Sequence, residues 1–333
     1  MSKFTVGLNL AWIGRDYDHD IGTNMTRDHD NGNHIAVPYD SAETEKIISD
    51  ISGMGVKVVR FWLFERFEGL SFGPTGEVLG ITTDFWHNLR DMCSIAKRYD
   101  VKFYFCLMDT WALTDSGVAD FRDHYAAMIN GIITTPPKRQ SFLNAVFEIL
   151  NDSVVKETVW AVDVLNEPEG IEHEKILGDR GVATNVHWDQ VIQYINDACL
   201  QIRQNTGHRV SCGFQESKHV KRFRDDISDA VDFFDFHRYD DAGSLPSLDD
   251  LELSKDCMIG ECGQSTEEVK PELQRRCIES FLQNAKRLGY FACMPWRYGY
   301  SGYTDDWDRW NFVLNADGTH RPVVDIISNF GEE

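Results

Sequence analysis

The sequence is poor in basic residues and has no long apolar run. It carries 33 Lys and Arg against 54 Asp and Glu, a formal net charge of −21. Such a surface is expected to repel nucleic acid and anionic membranes. No apolar stretch approaches the ~20 residues that a membrane-spanning helix needs. These deficits predict a neutral partner, with no nucleic acid and no membrane involved.

The sequence also lacks a CxxC motif, although it has eight cysteines. Most of them fall inside predicted strands or helix faces, where free cysteine behaves as a small hydrophobe. Reduced thiols of this kind favour a cytoplasmic setting. The apolar run at the start of the chain is too short for a secretory signal. We therefore predict a cytoplasmic protein, or a secreted one if a signal peptide has been removed.

What the chain does have is a series of short apolar segments separated by amphipathic helices. The segments are near-continuous rather than alternating, as is typical of parallel strands buried on both faces. The strands are predicted at about 4–10, 56–63, 101–107, 158–165, 208–214, 231–237, 257–261 and 290–296. Eight βα units favour a closed barrel. With no linker or repeat, the chain is predicted to be one α/β domain over residues 1–333, a (β/α)8 TIM barrel.

Two polar segments follow the first and last predicted strands. Residues 14–38 form a long loop dense in Asp, Asn and His, and an aromatic, acidic loop spans residues 298–311. Both should lie on the catalytic face, because barrel active sites form at the carboxyl ends of the strands. Residues 28–32 resemble a calcium loop slightly but lack the later bidentate glutamate. A loop that contacts substrate or is simply solvated is the preferred interpretation, and no metal site is predicted.

Two glutamates carry the predicted chemistry. Glu167, in Asn166-Glu167-Pro168, and Glu261, in Gly260-Glu261-Cys262, each stand where an apolar strand gives way to a loop. Cleavage of a glycosidic bond needs an acid for the leaving oxygen and stabilisation of the anomeric centre. We assign Glu167 as acid/base and Glu261 as nucleophile. In a retaining site the two carboxyl groups lie ~5–5.5 Å apart.

Neighbouring residues are expected to divide these roles. Arg60 supplies positive charge that keeps Glu261 ionised, and Tyr239 could donate a hydrogen bond to it. Asn166 can bind a sugar 2-hydroxyl, and the ring of Trp296 offers an apolar platform. The other predicted substrate-binding residues are His237, Trp62 and Trp307. Each position has a plainer alternative: an ion pair for Glu261 and Arg60, a helix-end carboxylate for Glu167, and core packing for the histidine and the aromatic residues.

Taken together, these motifs resemble glycoside hydrolase clan A, and most closely its family five. The resemblance covers essentially the whole chain and implies a (β/α)8 barrel, retaining hydrolysis of β-glycosides and no obligatory cofactor. The family's histidine after strand three has no counterpart in residues 107–111, where Asp109 or the more distant His124 could serve instead. The matching positions are Arg60, Asn166-Glu167-Pro168, His237-Arg238-Tyr239, Glu261, Trp296 and the closing turn 314–319 with Arg321-Pro322.

The sequence thus predicts a retaining glycoside hydrolase that cleaves β-glycosidic bonds in a neutral oligosaccharide or polysaccharide. The aromatic loop residues suggest several subsites and hence an oligosaccharide or polysaccharide, and within this class β-1,4-mannans and β-1,4-glucans are favoured. Two alternatives stay open. One is a transglycosylase that uses the same glycosyl-enzyme, and the other is a sugar-binding barrel that no longer turns over. No protein partner is implied.

Overall fold

Parallel strands build the centre of the molecule, for which we describe a computed structural model. The described residues are 4–13, 21–22, 39–64, 67–110, 119–172 (backbone only at 119–126), 186–264, 270–299 and 311–331. Within them a strand lies at each predicted place. The strands are β1 (Thr5–Val6 and Leu8–Asn9), β2 (Val58–Trp62), β3 (Lys102–Cys106), β4 (Val159–Asp163), β5 (Val210–Ser211 and Gly213–Phe214), β6 (Phe234–Tyr239), β7 (Cys257–Gly263) and β8 (Ala292–Pro295).

The strands close into a barrel through β1 and β5. One half of β1 pairs with β8 and the other half with β2, while one half of β5 pairs with β4 and the other with β6. All of these pairings are parallel, as are those between the remaining neighbours. The two five-stranded sheets therefore share β1 and β5 and form one closed cylinder. The predicted (β/α)8 barrel is confirmed.

Gly7 lies between the two halves of β1, where the chain is crowded. A Cβ atom at this position would lie 2.9 Å from the side chain of Met294 and 2.9 Å from the carbonyl of Val58. Only glycine leaves room for such close approach. The Gly7 N–H meanwhile bonds the Cys293 carbonyl at 3.1 Å, which keeps β1 attached to β8.

Helices cover the outside of the barrel. The Asp40 side chain accepts hydrogen bonds from the N–H groups of Ala42 and Glu43 and so caps the first helix. A hairpin that was not predicted, Leu70–Phe72 with Val78–Ile81, is inserted after β2. The main helices are α1 (Ser41–Gly53), α2 (Thr83–Arg98), α3 (Ala119–Thr134), α4 (Pro136–Leu150), α5 (Trp188–Thr206), α6 (Ser217–Ile227), α7 (Pro271–Leu288) and α8 (Val323–Gly331). In the described part of the chain, none of the helices has the length and apolarity to cross a membrane.

The barrel interior is layered along its axis because alternate residues of a strand share one face. On β2 these are Val58, Arg60 and Trp62. Val58 belongs to an apolar layer that includes Tyr104 and Met258. Trp62 belongs to an aromatic layer nearer the carboxyl ends of the strands. Arg60 lies between the two, fully buried, and the charged residues of the candidate site surround it.

Candidate active site

Glu167 lies in the turn after β4, four residues beyond the end of the strand. Its backbone has φ of 42°, an unusual value for a residue with a side chain. The N–H group donates to the Gly213 carbonyl at 2.8 Å, and the Thr110 hydroxyl donates to the Glu167 carbonyl. Both peptide groups are therefore anchored, and the residue is 7% exposed.

Glu261 lies inside β7, two residues before the strand ends rather than at its end as predicted. One carboxylate oxygen accepts from Arg60 at 2.5 Å, and the other accepts from the Tyr239 hydroxyl at 2.8 Å. Both predicted contacts are present. Burial raises the pKa of Glu261 above its ordinary value, while the charge of Arg60 and the hydrogen bond from Tyr239 act in the opposite direction.

His237 stands between the two glutamates. Its Nδ1 lies 2.6 Å from Glu167 Oε1 and 3.5 Å from Glu261 Oε2. One carboxylate oxygen from each glutamate and one ring nitrogen of His237 all lie within 4.8 Å of one another. Burial lowers the pKa of His237 to about 4, so the imidazole is neutral at pH 7 and its contact with Glu167 is a hydrogen bond rather than an ion pair.

The same three side chains form the group that could hold a cation among the described residues. Both carboxylate oxygens of Glu261 already accept hydrogen bonds, from Arg60 and Tyr239, and Glu167 Oε1 is hydrogen-bonded to His237 Nδ1. The arrangement is a pair of carboxylates, one hydrogen-bonded to His237 and the other to Arg60 and Tyr239, and such a pair is suited to proton transfer and nucleophilic attack.

Both the nitrogen and the oxygen of the Asn166 side-chain amide are hydrogen-bonded. Its Nδ2 donates to Asp109 Oδ1 at 2.7 Å, and its Oδ1 accepts from Arg60 Nη2 at 2.7 Å. Asp109, suggested as a replacement for the family's histidine, therefore contacts Asn166 directly. Asn166 is almost fully buried, and its contact with a sugar hydroxyl stays a prediction.

The predicted aromatic residues separate into two groups. Trp62 and Trp296 lie 5.7 Å apart between ring centroids and pack with Trp12 and, at the edge, Tyr239. Because Tyr239 binds Glu261, this aromatic cluster borders the carboxylate pair. Trp307 lies outside the described residues, as do the Asp305–Asp308 segment and most of the loop 14–38.

A buried polar layer below the glutamates was missed by sequence reasoning. Asp163 Oδ2 accepts from Arg60 at 2.6 Å, and Tyr104 donates to Asp235 at 2.9 Å. Burial raises the pKa of Asp235 well above its ordinary range. The available signal was an aspartate within an otherwise apolar strand: Asp163 is two residues after Ala161, which faces the barrel interior.

The fold and the carboxylate pair place the molecule among (β/α)8 barrels that carry acidic groups at the carboxyl ends of their strands. Solved structures of the same fold include the β-mannanase of the blue mussel Mytilus edulis, with a TM-score of 0.67, 18% identity and coverage of 99% of this chain and 92% of that one. The endo-1,4-β-mannanase of Rhizomucor miehei gives a TM-score of 0.68, 17% identity and coverage of 99% and 94%.

A glycoside hydrolase family 5 mannosidase from Rhizomucor miehei is also similar, with a TM-score of 0.61, 13% identity and coverage of 99% and 93%. No protein-family model and no curated protein matches the sequence. At these identities the likeness establishes a shared fold over nearly the whole chain.

Proposed function

We propose that this chain is a retaining glycoside hydrolase that cleaves β-1,4-mannan or a related β-1,4-linked glycan. The observation that carries the proposal is the carboxylate pair, since oxygens of Glu167 and Glu261 lie within 4.8 Å of each other. Carboxyl groups ~5–5.5 Å apart suit double displacement, whereas an inverting enzyme keeps them ~6.5–9.5 Å apart to admit a water molecule.

The environments of the two glutamates support different roles. Glu261 is held by a guanidinium and a phenol, which orient its carboxylate and favour the ionised form that attacks an anomeric carbon. Glu167 has a neutral histidine as its neighbour. Next to this imidazole, Glu167 gives a proton to the leaving oxygen and then takes one from water.

The substrate proposal rests on the aromatic cluster and on the relatives. Trp62 and Trp296 belong to the cluster that borders Glu261 through Tyr239, and indole rings bind the apolar side of a pyranose ring. The two Rhizomucor miehei enzymes are an endo-1,4-β-mannanase and a mannosidase, which supports a mannose-containing substrate for this chain.

The direct test is release of reducing ends from β-mannan, glucomannan, cellulose oligomers, mixed-linkage glucan, xylan and aryl β-glycosides. Glu261→Gln and Glu167→Gln should each abolish the activity of the wild type. Glu279→Gln is the matched control, since Glu279 pairs with Arg275 on the outer helix α7.

Activity on a mannan, lost in both active-site variants and kept in the control, is the expected result. A wild type that binds mannan without releasing product would contradict hydrolysis and favour the non-catalytic barrel. Products longer than the substrate at high acceptor concentration would indicate transglycosylation instead.

A further inference from the structure

Asp163 is a buried carboxylate that the reaction outlined above does not use. It is the last residue of β4 and is 0% exposed, so it cannot touch a substrate in the cleft. Burying a carboxylate is unfavourable unless it is paired and hydrogen-bonded. Its contacts are therefore informative about what it does in the fold.

Both carboxylate oxygens of Asp163 are engaged by groups that lead to the catalytic glutamates. Oδ2 accepts from Arg60 Nη2 at 2.6 Å, and Arg60 Nη1 donates to Glu261 at 2.5 Å. Oδ1 accepts the Gly213 N–H at 3.0 Å, and the Gly213 carbonyl accepts the Glu167 N–H at 2.8 Å. Asp163 is thus connected to each glutamate by two hydrogen bonds in series, through Arg60 to Glu261 and through Gly213 to Glu167.

The strand β5 packs closely against the Asp163 carboxylate. A Cβ atom at position 213 would lie 2.9 Å from Asp163 Oδ2 and 3.3 Å from Arg60 Nη2. The strand β5 can approach this closely only because it carries a glycine here. Asp163 also accepts the N–H of Leu165 at 3.2 Å, which fixes the start of the turn that leads to Glu167.

We propose that Asp163 is a positioning residue that fixes Arg60 between Glu261 and Asn166 and shares its positive charge. This inference rests on the proposed function. Without Asp163, the guanidinium would keep its contacts to Glu261 and Asn166 but would lose the carboxylate that holds it in line with them. Because preorganised groups give most of the electrostatic advantage of an active site, small displacements here reduce turnover.

The proposal also predicts a change in pH dependence with a definite sign. The groups that face Glu261 are Arg60 from β2, His237 and Tyr239 from β6 and Glu167 after β4. Removing the negative charge of Asp163 leaves more of the positive charge of Arg60 to stabilise ionised Glu261. The acidic limb of kcat/KM should therefore move to lower pH in Asp163→Asn.

The test compares Asp163→Asn with the wild type on a substrate that the wild type cleaves. We expect kcat to fall at least about tenfold, the loss that one 1.4 kcal/mol step represents, with KM little changed and the acidic limb at lower pH. Asp232→Asn is the matched control, because Asp232 also accepts a β5 N–H, from Val210, and also pairs with an arginine, Arg203. That control should keep the kcat and the pH profile of the wild type.

Two results would overturn the inference. One is an Asp163→Asn enzyme with wild-type kcat, and the other is a loss of kcat with an unmoved acidic limb, which a merely structural role would give. If Asp163→Asn does not fold, Gly213→Ala keeps every charge but crowds Asp163. Its kcat should fall while its KM stays close to the wild-type value, and full activity would contradict the proposal.

A failure of the proposed function is distinguishable from a failure of this inference. If the wild type is inactive, the titration of Glu261 can be followed by NMR of protein labelled at the glutamate carboxyl carbon, with Glu261→Gln identifying the signal. The Glu261 pKa should still be lower in Asp163→Asn than in the wild type. An unchanged titration would refute the sharing of charge independently of any activity.

Discussion

Replacing Tyr239 with phenylalanine tests the environment of Glu261 with a minimal change. The substitution removes the phenol oxygen that donates to Glu261 Oε2 at 2.8 Å and keeps the ring. The contact of Arg60 with the other carboxylate oxygen is left in place. Any effect on Glu261 can then be attributed to one hydrogen bond.

The size of the effect follows from the charge of the acceptor. Hydrogen bonds to charged groups contribute about 1.5–3 kcal/mol. Since about 1.36 kcal/mol corresponds to a factor of ten, the ionised form of Glu261 should become roughly 10- to 150-fold less populated on the acidic side of its titration. Glu261 is 4% exposed, so solvent can replace little of the lost bond.

The assay is kcat/KM as a function of pH. Tyr239→Phe should lose activity by that factor at acidic pH, with the acidic limb moved to higher pH and a smaller difference where Glu261 is fully ionised. Tyr290→Phe is the control, because the Tyr290 hydroxyl donates to the Pro246 carbonyl at 2.8 Å away from the site. An equal loss at every pH, or an unmoved limb, would refute the account of how Tyr239 acts on Glu261.

Three further predictions concern stability, each measured by denaturant unfolding. Arg60→Met should lower the free energy of unfolding by about 3–5 kcal/mol, because Asp163 and Glu261 would be left buried without their countercharge; a stabler variant would contradict this. Burial lowers the pKa of His237 from 6.5 to about 4. The contribution of the neutral imidazole to the free energy of unfolding is therefore present above pH 6.5 and is lost as pH falls towards 4, a change of about 3 kcal/mol. His237→Gln should flatten this pH dependence, and an unchanged slope would count against it. Gly7→Ala should cost about 1–3 kcal/mol through overpacking, whereas Gly53→Ala, with no atom within 4 Å of its added Cβ, should be close to neutral; equal effects would refute the crowding argument.

The sequence was most informative where a chemical group and a strand end coincide. Eight apolar segments predicted the barrel, and the contacts of Arg60 and Tyr239 with Glu261 were expected from their strand positions. This works because carboxyl ends of parallel strands meet at one end of a barrel. A charged residue at such an end therefore has few candidate partners.

The features that the sequence did not predict depend on whether a strand side chain faces the barrel interior or the surrounding helices. In a strand buried on both sides, apolar patterning does not separate the barrel interior from the helix side, so the inward position of Asp163 was not recognised. The placement of Glu261 within β7 depends on register shifts between β6, β7 and β8 that no local pattern reports. Contacts such as that between His237 and Glu167, which are 70 positions apart, arise from barrel closure rather than local sequence.

The central claim is that Glu167 and Glu261 act by double displacement, and the stereochemistry of the product tests it most directly. Hydrolysis of a β-1,4-manno-oligosaccharide would be followed by proton NMR of the newly formed anomeric centre, before mutarotation equilibrates it. The account predicts that the β-anomer appears first. First appearance of the α-anomer would show inversion and would contradict a covalent intermediate on Glu261.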